Sequence, residues 1–147
     1  MSVTNTENLK SRIIKEFEEE FSFLKDKFEI MDLLGDNSPM DYDTIEYLAL
    51  PSAEHNIVWH PGVYVFIGNG CLYRVGVSMR NSRFRVMQHL EAHTAKNGHC
   101  IWDIDKFDDK SILLFNVKNK EDRHWLLALE AYFETRFNPL IKAGRIG

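Results

Sequence analysis

The chain has 147 residues, 44% hydrophobic and 12% aromatic, with 18 basic against 22 acidic side chains. That supply of apolar surface excludes a chain disordered throughout, and the length suits one ordinary domain with a helical extension. No run approaches the ~18 apolar residues of a membrane span, the N-terminus lacks a secretory pattern, and Cys71 and Cys100 form no disulfide framework or zinc motif, so a cytoplasmic protein is expected.

Charge is unevenly spread. Residues 1–56 hold 13 acidic and 5 basic side chains, residues 57–147 hold 9 and 13. No carboxylate stands between Glu54 and Glu91, where Arg74, Arg80, Arg83 and Arg85 all fall. Such a local positive field suits a phosphate-bearing partner, or else a solvated arginine-rich loop.

In chain order, Thr4 and Glu7 have capping-box spacing. Leu9, Ile13, Phe17, Phe21, Leu24, Phe28 and Met31 then recur every three or four residues, which predicts one amphipathic helix over 7–33. Its apolar stripe needs cover, from the rest of the chain or from a second copy in a homodimer. A shorter helix is expected from Asp41 to Leu50, before Pro51. A boundary near residues 51–60 divides an acidic helical region, 1–56, from a second unit, 57–147.

The second unit opens with two β-rich runs, 61–67 and 71–77, around Gly68-Asn69-Gly70, which reads as a hairpin. Val63, Val65 and Ile67 share one face, and Cys71, Tyr73, Val75 and Val77 share one. A three-residue loop pairs Val65 with Tyr73 and sets Tyr64 opposite Arg74 on the second face, with Phe66, Leu72 and Gly76. A one-residue slip would press Arg74 into the apolar face. Asn81 or Ser82 caps a helix running to about residue 95, residues 111–117 form a third strand, and Asn119 caps a last helix ending at Asn138-Pro139. The order β-β-α-β-α predicts an α+β fold with a three-stranded antiparallel sheet flanked by helices.

Gly62-Val63-Tyr64, then Arg74-Val75-Gly76, then Arg85-Val86-Met87-Gln88-His89, and last Glu130 nine residues before Pro139, stand in order over about residues 60–140. In this the chain resembles the GIY-YIG nuclease family. In layout it is most similar to stand-alone restriction-type members, some of which carry a histidine four residues after the arginine, where His89 stands here. It departs from the family pattern at Arg74, where a tyrosine is usual, at Val77, where a lysine is frequent, and at Ile141, where an asparagine is usual.

The resemblance implies a metal-dependent endonuclease that hydrolyses DNA phosphodiester bonds. It makes Glu130 the ligand of Mg²⁺ or Mn²⁺, one carboxylate with waters and phosphate being ordinary for magnesium. Arg85 would hold the scissile phosphate through two N–H groups. His89, one turn further, would carry a proton, donate to phosphate, or simply pack. Tyr64 would orient or deprotonate the attacking water, and Arg74 would recruit phosphate and lower the Tyr64 pKa, or mark a lost activity. Two alternatives stay open: a degenerate GIY-YIG module that binds nucleic acid or a protein without cutting, and an α+β interaction domain working through its acidic helix.

Overall fold

Alternating apolar residues draw 62–68, 71–78 and 110–117 into strands, and a fourth strand joins them from the N-terminal part. The computed structural model describes residues 5–33, 57, 59–93 and 109–141. The strands are β1 (Phe28–Asp32), β2 (Gly62–Gly68), β3 (Cys71–Ser78) and β4 (Lys110–Val117), and the helices are α1 (Asn5–Glu20), α2 (Ser82–His93) and α3 (Trp125–Phe137). All strand pairs are antiparallel, in the order β1-β4-β2-β3.

The α+β class stands, but the sheet has four strands rather than three, and the first helix stops at Glu20 rather than near residue 33. Phe28 and Met31 fit helical spacing, but the same stretch also alternates. Phe28 and Ile30 pack on one side of the sheet, Met31 and Leu33 on the other. Without β1 the buried β4 would present an open edge, so pairing across the sheet overrides the local helical pattern.

Helices cover both faces. On the first, Ile13 and Phe17 of α1 and Leu126, Leu129 and Phe133 of α3 pack on Val63, Val65, Leu113 and Phe115. On the second, Val86 of α2 joins Tyr64, Phe66, Tyr73, Ile112 and Leu114. The stripe of α1 is therefore covered by the chain's own sheet, with Leu9, Phe21 and Leu24 at its margin, which removes the reason for seeking a second copy there. Elements from both sides of the expected boundary share one sheet and one core.

Thr6 fixes where α1 starts. Its backbone N–H donates to Asp109 Oδ2 (3.0 Å), its hydroxyl donates to the Asp109 carbonyl (3.1 Å) and accepts from the Gly70 N–H (3.2 Å). Asn81 caps α2 through Oδ1, which accepts from the Phe84 N–H at 3.0 Å. Asn119 accepts from Glu121, but caps only a 3₁₀ turn, Lys120–Asp122, before α3 begins. Asn138 ends α3 in the left-handed region, φ 50°. Thr4, the helix expected over 41–50, and Cys100 lie outside the described residues. No helix among the described residues is long and apolar enough to cross a membrane.

Candidate active site

The β2–β3 hairpin turns on Asn69 and Gly70, with φ 51° and 77°. Two consecutive positive φ values define the type I′ turn that Asn-Gly favours. The loop thus has two residues, not three, and pairs Gly68 with Cys71 and Ile67 with Leu72. Carried on regularly, that register would set Val65 against Arg74 and press a guanidinium into the apolar face. A β-bulge prevents this. Tyr73 is the extra residue, after which Phe66 pairs with Arg74, Val65 with Val75 and Tyr64 with Gly76.

Two expectations are corrected here. Tyr64 is not directly opposite Arg74 but diagonal to it, although both stay on one face. Leu72 and Tyr73 exchange faces: Leu72 packs in the first core, while Tyr73 joins Tyr64 and Phe66 in the second. The bulge is held from the sheet edge. The Leu140 N–H donates to the Leu72 carbonyl (3.0 Å) and the Ile141 N–H to the Tyr73 carbonyl (2.9 Å), so the chain after α3 lies parallel along β3.

Gly76 explains the placing of Tyr64. A Cβ there would lie 2.2 Å from the Tyr64 hydroxyl oxygen and 2.3 Å from the ring carbon bearing it. The phenol therefore crosses edge strand β3 where β3 has no side chain. Tyr64 is only 2% exposed. Its hydroxyl takes a hydrogen bond from the Arg85 guanidinium and lies in the field of Arg85, Arg74 and Glu130. Burial is the strongest influence on its pKa and pushes it up. The two arginines pull it down, Glu130 pushes it up further, and the net direction is upward.

Three charged side chains from three different elements thus act on one phenol, Arg85 by a hydrogen bond and Arg74 and Glu130 through their charge. Arg85 is exposed on the second turn of α2 and also donates to Gln88 Oε1 (3.3 Å). Arg74 is half-buried on β3. Glu130 is 2% exposed, and Glu134, one turn further on the same face of α3, is buried as well. His89 follows Arg85 by one turn of α2, and its side chain lies outside the described residues.

Asn116 sets the position of α2. It is fully buried in β4, accepts from the Ser82 hydroxyl (2.6 Å) and donates to the Ile57 carbonyl (2.8 Å). Gly62 makes room, since a Cβ there would fall 1.8 Å from Asn116 Oδ1. The Arg83 guanidinium lies 3.9 Å over the Trp59 ring, so this arginine points inward while Arg85 faces solvent. Sequence reasoning missed Asn116, whose signal was a polar residue in an otherwise apolar strand. It also missed the bulge, whose signal was Asn-Gly itself.

Among the described residues no group of three or more His, Cys, Asp or Glu stands ready to hold a metal. Magnesium asks less, one or two carboxylates with waters and phosphate oxygens completing the shell, and Glu130, a carboxylate whose charge is felt at the Tyr64 phenol, is the group of this site that could supply such a ligand. Two adjoining clefts of about 270 and 250 Å³ lie elsewhere, between α1 and the hairpin turn, share Leu9, Arg12 and Gly70, and include none of these four residues. Comparison with family models, curated proteins and solved structures found no match for this chain.

Proposed function

We propose that the chain is a metal-dependent DNA endonuclease of GIY-YIG type. The observation that carries this is the Tyr64 phenol, hydrogen-bonded by Arg85 and lying in the field of Arg74 and Glu130. A phosphodiester gains negative charge as water adds to phosphorus, and two guanidinium groups beside a carboxylate-held cation are the means to offset it.

Arg85 is exposed and presents the planar fork that grips two phosphate oxygens. The upward direction of the Tyr64 pKa keeps its proton on at neutral pH. Its first role is then to orient the water by hydrogen bonding rather than to deprotonate it. Glu130 would hold the divalent ion, which would supply positive charge to offset the negative charge gained by the phosphate. Arg74 adds cationic charge where the family pattern has a tyrosine, and Tyr73, turned to the same face by the bulge, restores a phenol nearby.

The test is cleavage of plasmid and mixed genomic DNA by wild type and Glu130→Gln, with and without Mg²⁺ or Mn²⁺. Cleavage is expected to need both metal and Glu130, falling about a hundredfold or more in the variant. Salt-sensitive DNA binding without cleavage of duplex, branched or single-stranded substrates would mean a binding module instead, and Arg74→Tyr would then be tried for restored activity.

A further inference from the structure

Phe84 is 48% exposed, an unusual place for a phenylalanine in a helix that offers Val86 to the core. Its neighbours divide by direction. Ser82 and Arg83 are buried, whereas Arg85 and Gln88 share the exposed side with Phe84. Gln88 stands one turn beyond Phe84 and accepts from Arg85, which itself reaches the Tyr64 phenol. The ring therefore lies within one helical turn of the group read above as the phosphate holder.

The backbone beneath this ring is fixed. Asn81 caps the Phe84 N–H, and Ser78 Oγ accepts from the Arg80 and Asn81 N–H groups at 3.3 and 3.0 Å. Met79, 36% exposed, sits on the same corner between β3 and α2 with exposed Arg80. Apolar surface beside arginines, in a stretch with no carboxylate from 55 to 90, is complementary to a polyanion that carries flat apolar faces. A nucleotide is such a ligand, and stacked, paired bases do not offer those faces.

We propose that Phe84 is a stacking platform for an unpaired base that flanks the phosphate held by Arg85. The preferred substrate is then DNA with a bulged, flipped or single-stranded nucleotide at the site of attack. This rests on the nuclease reading. Duplex DNA is engaged through the arginines alone, and the gain from an unpaired base comes from the ring.

Binding of the full chain is measured by fluorescence anisotropy in EDTA, which separates it from cleavage. The probes are one sequence as paired duplex, as the same duplex with one unpaired nucleotide, and as single strand. Wild type should prefer the unpaired forms. Phe84→Ala and Phe84→Leu should lose about tenfold on those forms and nothing on the paired duplex, erasing the preference. Phe84→Trp should keep it, with its indole fluorescence quenched on binding. Arg85→Ala should weaken all three. Matching thermal unfolding of the variants excludes a folding effect. Equal wild-type affinity for paired and unpaired DNA, or a preference that survives Phe84→Ala, would overturn the platform and leave Glu130-dependent cleavage untouched. No DNA binding at all would likewise overturn the platform, whereas the nuclease reading stands or falls on metal- and Glu130-dependent cleavage.

Discussion

Tyr64 concentrates the chemistry of the site in one proton. Burial holds that proton more tightly than the ordinary phenol value of 10.0, Arg85 and Arg74 loosen it, and Glu130 tightens it. The folded state therefore binds the proton better than the unfolded chain does. Stability from this group is fully present below pH 10 and is lost as the pH rises above it. The signs also separate the neighbours. In a phenolate absorbance titration, with Tyr64→Phe identifying the signal, Arg85→Ala should move the Tyr64 midpoint upward and Glu130→Gln should move it downward. A midpoint unmoved by both would mean that these charges do not face the phenol. Gly76 acts on the same proton through space alone, because any side chain there displaces the ring.

At the scale of elements, the hairpin shows two rules in conflict and how the chain satisfies both. The Asn69-Gly70 turn demands a two-residue loop, while burial demands that Val65 face Val75 and not Arg74. One extra residue, Tyr73, reconciles them. Removing Tyr73 should then leave Phe66 against Arg74 and Ile67 against Leu72 in an unbroken ladder. That deletion is expected to lower the unfolding temperature, through loss of about 1.5–3 kcal/mol of aromatic burial, while keeping a cooperative transition. Deleting Val75 instead shifts every face beyond it and should abolish the transition. Equal damage from both deletions would count against the bulge. Apolar alternation was enough to place Tyr64 and Arg74 on one face, and capping and proline signals placed α2 and the end of α3. The bulge needed the turn geometry to be weighed against burial. β1 was hidden because Phe28, Ile30 and Met31 satisfy helical and strand periods at once, and only the open edge of β4 decides between them. Of the site, motif order in the sequence singled out Tyr64, Arg74, Arg85 and Glu130. The space at Gly76 and the Asn116 bridge to Ser82 depend on neighbours distant in the chain, which no local pattern reveals.

For the molecule as a whole, the acidic end of α1 and the arginines of α2 lie on opposite faces of the sheet. Exposed Glu18, Glu19 and Glu20 of α1 belong with the first face, and exposed Arg80 and Arg85 accompany α2 on the second. The acidic end of α1 is thus on the opposite face from α2, and the contribution of that helix is to the core. Phe17 packs at 5.2 Å from Phe115 and 5.3 Å from Phe28, and β1 pairs with β4 along its whole length. A chain beginning at residue 55 loses Ile13, Phe17 and Phe28 together, each worth about 1.5–3 kcal/mol of burial. It also exposes Phe115 and leaves β4 as an unpaired edge. Those losses rival the roughly 5–15 kcal/mol that holds a domain folded. The shortened chain should show no cooperative thermal transition, should bind a hydrophobic dye, and should aggregate through β4. Adding residues 1–33 as a separate peptide should restore the transition in proportion to peptide concentration, because the missing part acts by packing and strand pairing. A shortened chain that unfolds cooperatively at the temperature of the full chain would show that α1 and β1 lie on a core already complete without them.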